Sequence, residues 1–204
     1  MILETVSVGS MEVNCYILAQ KEGGSAIIID PGAQGKKIRK VLDRFKLNPA
    51  FIINTHGHFD HIGADDDFGV TVYAHKLDVP LLKDAQLNMS GLFAFPSVVK
   101  CEIKILDDNQ VLELEGIKLK VLHLPGHTKG GIGLLLEEPL KTIVFTGDTL
   151  FCRGIGRSDL AGGSPELLAK SIKERLFTLP DETRIYPGHG PSSTTGEEKR
   201  NNLI

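Results

Sequence analysis

The sequence predicts an α/β protein in which strand layers are covered by helices. Three observations carry that expectation. Short apolar runs bounded by Gly, Pro and Asp turns recur along the chain. Residues 36–45 and the stretch after Ser164 switch to helical character. Hydrophobic residues make up 41% and charged residues 24%, a globular balance that excludes a disordered chain. The 204 residues, set against ~150 per domain, predict one domain over 1–204.

The elements follow in order. Val13–Ala19 and Ser25–Asp30 read as a hairpin turned at Gly23-Gly24. Over Lys36–Phe45, Ile38, Val41, Leu42 and Phe45 share one face at helical spacing. Ala50–Asn54 and Val70–Ala74 read as short buried strands, and the stretch near Leu77–Lys83 as helical. Residues 86–99 contain Gly91 and Pro96 and are expected to form a surface loop. Strands are expected at Glu102–Ile105, Gln110–Leu114 and Ile117–His123. The last alternates Ile117, Leu119 and Val121 with Lys118 and Lys120. Ile132–Leu136 and Thr142–Thr146 follow. Ser164-Pro165 opens a helix running to about Phe177. A short strand near Ile185-Tyr186 and a polar tail complete the reading.

Composition excludes several functions. The 23 basic and 26 acidic residues give a net charge of −3, unlike a nucleic-acid binder. No apolar run approaches the ~20 residues of a membrane span. Residues 1–20 lack a basic start followed by an apolar stretch, so no signal peptide is expected. Cys15, Cys101 and Cys152 form neither a disulfide framework nor a C-x-x-C ribbon. A cytoplasmic setting is expected.

The chemistry falls at strand ends. Thr55-His56-Gly57-His58-Phe59-Asp60-His61 follows the strand at 50–54. Residues two apart in an extended segment point the same way, so His56 and His58 can grip one ion together. Asp60 and His61 fall where the chain turns toward a helix and point elsewhere, a set that suits two adjacent ions. Three further turns follow apolar strands: Pro125-Gly126-His127-Thr128, Gly147-Asp148-Thr149 and Tyr186-Pro187-Gly188-His189-Gly190. They add two imidazoles and a carboxylate, which suit zinc, iron or manganese. No serine-nucleophile elbow, H-E-x-x-H or phosphate-binding glycine loop is present.

The order H-x-H-x-D-H, P-G-H-T, G-D-T, P-G-H-G resembles the metallo-β-lactamase fold superfamily. Val13–Leu18 and Asp30-Pro31-Gly32 resemble that family's first hairpin. The resemblance implies a four-layer αββα sandwich with a metal site between the strand edges. It implies His56, His58 and His127 on one ion, Asp60, His61 and His189 on a second, and Asp148 bridging them. Gly147–Phe151 and the tail from Pro187 through Arg200-Asn201 are similar to the short glyoxalase-II-like branch. That branch implies a hydroxyacylglutathione-hydrolase-like thioesterase acting on S-D-lactoylglutathione-type substrates. The chain departs from longer members at Asp159 and Pro191, where glutathione-contacting tyrosines are not evident. Arg153–Asp159 also resembles the mononuclear iron persulfide dioxygenases of the same fold. Gly188 and Gly190 stand where those carry Ala and Asp. Hydrolysis of another ester, a lactone or a phosphodiester is a further alternative, and a metal-binding module without turnover is another.

The expected mechanism uses two divalent ions, zinc first with iron or manganese as alternatives, and a water ionised near neutral pH. Asp60 is the expected catalytic carboxylate that orients that water. Two ions contribute +4 against −3 from Asp60, Asp148 and hydroxide, leaving about +1 to attract an anionic thioester. Arg157 is the expected contact for the substrate carboxylate. Asp30 is expected to support the site by an outer hydrogen bond. Lys36, Lys37, Arg39 and Lys40 read as a solvated helix face, and Cys152 as packing. His75 and His123 receive no role.

Overall fold

The computed structural model describes residues 1–93, 96–138, 141–202 and 204. Six strands form a first sheet: β1 (Ile2–Val8), β2 (Val13–Ala19), β3 (Ser25–Ile29), β4 (Asn48–Ile53), β5 (Thr71–His75) and β6 (Ile103–Leu106). They lie in chain order, antiparallel through β3 and parallel beyond it. The second sheet holds β7 (Val111–Leu114), β8 (Ile117–His123), β9 (Ile132–Glu138), β10 (Lys141–Gly147), β13 (Arg184–Pro187) and β14 (Ser193–Thr194). Its order is β14-β13-β10-β9-β8-β7. A small hairpin, β11 (Leu150–Phe151) and β12 (Gly154–Ile155), stands apart.

Alternation in the strands builds the layers. All seven residues of β2 are buried because both its faces are covered. Cys15, Ile17 and Ala19 pack outward with Ile38 and Leu42 of helix α1 (Gly35–Arg44). Tyr16 and Leu18 pack inward, in one cluster with Leu119, Val121, Leu134 and Phe145 of the second sheet. On the far side, Leu122, Leu135 and Val144 meet Leu168, Ile172 and Leu176. Those residues belong to helix α4 (Pro165–Ser171) and the π-turn Ile172–Leu176 that continues it. Ser164 caps α4 by accepting from the Leu167 N–H at 3.3 Å. The result is a helix–sheet–sheet–helix sandwich, the αββα order that the sequence resemblance implies.

Four corrections follow. Strand β1 was not expected: its outer face is half exposed, which hides the apolar signal. The hairpin β11–β12 was not expected either, being too short for a periodic pattern. Residues 86–99 are less of a surface loop than expected, since Asn88 and Ser90 are buried in the part described. The polar tail contains helix α5 (Thr195–Asn201). Thr194 accepts from the Glu197 N–H at 3.2 Å, a capping pattern. Glu198 is buried and accepts from the Arg153 N–H at 2.8 Å and from Asn202 Nδ2 at 2.6 Å. Polar contacts hold this helix, so it shows no apolar stripe.

Helix α2 (Phe59–Ile62) follows β4, and α3 (Val79–Lys83) follows β5. Among the described residues, no helix is long and apolar enough to cross a membrane.

Candidate metal centre

Four strand exits converge on one place. His56, His58, Asp60 and His61 follow β4, His127 follows β8, Asp148 follows β10 and His189 follows β13. Their donor atoms form three overlapping groups, each within 4.8 Å: His56/His58/His127, His56/His61/Asp148 and Asp60/His61/His189. His58 Nδ1 lies 2.9 Å from His127 Nε2. Asp148 reaches both ends of the cluster. Its Oδ1 is 3.4 Å from His61 Nε2, and its Oδ2 is 3.7 Å from His127 Nε2 and 3.5 Å from His189 Nε2.

Outer hydrogen bonds set the ring orientations. His61 Nδ1 donates to Asp30 Oδ2 at 3.0 Å, as expected of Asp30. Asp30 itself accepts from the Thr55 N–H at 2.7 Å and the Thr55 hydroxyl at 2.6 Å. His127 Nδ1 donates to the Arg157 carbonyl at 2.7 Å, and His189 Nδ1 to the Met11 carbonyl at 2.9 Å. These bonds commit the Nδ1 protons, so in their neutral, ligating form the rings would turn Nε2 lone pairs inward. His61 Nε2 and His189 Nε2 face each other at 3.4 Å, and in that neutral form they would meet lone pair to lone pair. His56 Nε2 and Asp148 Oδ1 are buried with no hydrogen-bond partner. Orphaned acceptors around a shared centre are costly unless a cation satisfies them. The residues present therefore fit a metal ion.

Electrostatics agree. Burial, reinforced by the neighbouring imidazoles, pushes His56 well below the ordinary histidine range and His58 down to about 4. Burial opposes charge on Asp60, yet the His189 and His61 imidazoles outweigh it and hold the carboxyl near 2. Burial likewise opposes charge on Asp148, and His61, His189 and His127 keep its pKa low. Burial disfavours a charged His61, but Asp148 and Asp30 overcome it and push that pKa well up. Asp60 and Asp148 are thus ionised at neutral pH, as ligands must be.

Close backbone approach is part of the design. A Cβ on Gly188 would stand 2.1 Å from Asp148 Oδ1 and 2.8 Å from His61 Cε1. No side chain fits there without displacing both donors.

One residue escaped the sequence reading. Asp78 is fully buried. Its Oδ2 accepts from the Gly57 N–H at 2.9 Å and the Thr128 hydroxyl at 2.7 Å, and its Oδ1 from the Gly130 N–H at 2.7 Å. It thereby clamps the H-x-H loop to the P-G-H-T loop. The signal was misleading: Asp78 precedes Val79-Pro80 as a helix cap would, but its side chain makes no cap bond.

Arg157 is placed differently from the donors. Its carbonyl touches His127, while its exposed guanidinium forks onto Asp159 with two bonds of 2.8 Å. His75 and His123 stack on each other with centroids 4.1 Å apart, away from the cluster. Lys36, Lys37, Arg39 and Lys40 are exposed. Cys152 belongs to none of the donor groups. Beside Asp60 opens a cleft of about 270 Å³ walled by Met11, Phe59 and Phe93.

This geometry has known counterparts. Hydroxyacylglutathione hydrolase GloC of Haemophilus influenzae is 35% identical over 208 residues, covering 99% of this chain and 97% of that protein. The crystal structure of BLEG-1 B3 metallo-beta-lactamase superposes with a TM-score of 0.91 at 34% identity, covering 99% of this chain and 98% of that one. TTHA1623 in a di-iron-bound form gives a TM-score of 0.83 at 37% identity, with 98% of each chain covered. The family model of the metallo-beta-lactamase superfamily matches residues 8–189. Fold, donor set and relatives agree, and the chain belongs to the metallo-β-lactamase superfamily.

Proposed function

We propose that this metallo-hydrolase is a thioesterase that cleaves hydroxyacyl-thiol esters of the S-D-lactoylglutathione type with two divalent ions. One observation carries the reading: the donors divide into two triads, His56/His58/His127 and Asp60/His61/His189, with Asp148 in reach of both. When bound, two such ions supply a water ionised near neutral pH and polarise the scissile carbonyl.

The chain's own groups do the rest. His56, His58 and His127 would hold the first ion and Asp60, His61 and His189 the second, with Asp148 within reach of both. Asp60, ionised beside His189 at 3.5 Å, orients the attacking water and accepts its proton. The leaving thiolate is weakly basic, so no strong general acid is needed. Arg157 exchanges Asp159 for an anionic group on the thiol. Zinc is the ion we favour, with iron or manganese as alternatives for this His/Asp set; the di-iron form of TTHA1623 keeps iron open. The three unpaired cysteines support a reducing, cytoplasmic setting.

The test is metal analysis together with turnover. Protein purified without chelator should hold two ions per chain and hydrolyse S-D-lactoylglutathione, with free thiol released. A single iron, with oxygen uptake on glutathione persulfide and no hydrolysis, would overturn the reading in favour of a dioxygenase.

A further inference from the structure

The cleft beside Asp60 has a composition that bears on the substrate. Its walls are Met11 from the β1–β2 turn, Ala33 after β3, Phe59 at the start of α2, and Phe93. The remaining lining residues are Val8, glycines and serines, and among the described residues Asp60 is the only charged one. No lysine or arginine lines it among the described residues. Met11 is 54% and Phe93 55% exposed, so two large apolar side chains stand open to solvent at the rim. Phe59 packs on Phe93 with ring centroids 4.8 Å apart, which braces one wall. Ser90 Oγ is already engaged with Ser97 through bonds of 2.9 and 3.1 Å. At about 270 Å³ the cleft is smaller than the ~300–1,000 Å³ of a drug-sized site. It has room for one small group rather than a tripeptide.

The cleft borders the donor cluster through Asp60. Asp60 forms part of its wall and part of the Asp60/His61/His189 triad. His189 donates to the carbonyl of Met11, which ties the rim to that triad. A second carboxylate reaching past Asp60 would find no basic side chain among the described lining residues to pair with. An apolar group would bury surface against Met11, Ala33, Phe59 and Phe93.

We infer that this cleft receives the hydrocarbon end of the substrate's acyl group, and that this end carries no charge. The inference rests on the thioesterase reading and sharpens it: the anionic carrier lies on the Arg157 side, and a short aliphatic chain on the Met11 side. Each methylene that enters the cleft is worth ~0.8 kcal/mol, about fourfold in affinity.

The experiment uses product carboxylates, so that it does not depend on turnover. Acetate, butyrate, hexanoate and succinate are titrated into the metal-loaded full chain, and dissociation constants are read by NMR. The expected result is about fourfold tightening per methylene from acetate to hexanoate, with succinate weaker than butyrate. Phe93→Ser should flatten the hexanoate-to-acetate ratio. A flat series, or succinate tighter than butyrate, overturns the inference. Glutathione thioesters of the same acids are assayed alongside. Hydrolysis with a flat binding series removes the acyl cleft and keeps the thioesterase. A sloped binding series without hydrolysis keeps the cleft and removes the thioesterase.

Discussion

The two sheets furnish the metal centre in different ways. The first delivers four donors in one short segment, His56 to His61, as β4 gives way to α2. The second delivers three, His127, Asp148 and His189, from the exits of β8, β10 and β13. In the first, covalent proximity does the positioning: an extended stretch aligns His56 with His58, and a helical turn redirects Asp60 and His61. In the second, only the sheet brings the residues together, because β13, β10, β9 and β8 lie side by side. Donors from one segment tolerate small movements together, whereas donors from separate strands depend on every connection that holds those strands in place.

Ways to break that contrast can be ranked by size. The largest effect is expected from Asp148→Ala, since Asp148 reaches histidines from both sheets. Metal affinity should fall by more than the ~10–100-fold that outer partners cost, and turnover should be lost with it. Metal content by mass spectrometry checks this; full occupancy of both sites would remove Asp148 as the link. Asp78→Ala comes next, because it cuts the clamp between the H-x-H and P-G-H-T loops. Three buried donors lose their acceptor, so urea unfolding should show a loss of about 3 kcal/mol, with a weaker metal site.

Asp30→Asn acts only within the first sheet's share. Asp30 has φ +50°, a conformation Asn tolerates, so the backbone is kept, while the charge behind His61 is removed and one of the two accepting oxygens becomes an NH2 facing a donor. Metal affinity should fall about tenfold, with a loss of about 1–2 kcal/mol in urea unfolding from the broken buried hydrogen bond. A last effect, confined to acid pH, is in the pH dependence of metal-stripped protein. His58 has its pKa lowered by burial to about 4, against about 6.5 unfolded. Between those values the unfolded chain binds the extra proton, so this group's contribution is full above pH 6.5 and declines toward pH 4. Wild type minus His58→Gln, measured by urea unfolding, should therefore shrink by up to about 3 kcal/mol across that window. A constant difference would show that His58 does not stay neutral when buried.

The contrast also explains what the sequence made legible. The segment from His56 to His61 announced itself because its chemistry is local, with strand and helix periodicities both visible in seven residues. His127, Asp148 and His189 were readable only as polar residues in glycine turns after apolar strands. Their grouping came from resemblance, since sheet order is not written in any one segment. Asp78 was illegible because its partners lie 21, 50 and 52 residues away. Helix α5 was illegible for the opposite reason: its anchor, Glu198, is a buried acid where an apolar stripe was sought. The apolar cleft was hidden too, because Met11, Phe59 and Phe93 come from three separate segments.

The bond from His189 to the Met11 carbonyl has a thermodynamic corollary. One imidazole belongs to a donor group that could hold an ion and fastens the turn that shapes the cleft mouth. Whatever factor an ion adds to the grip on a carboxylic acid, that acid must add to the grip on the ion, because coupling between two binding events is symmetric. A chelator titration with and without hexanoate measures that factor from the other direction, and unequal factors would break the cycle. Where that factor exceeds one, retention of the metal is a property of the occupied enzyme.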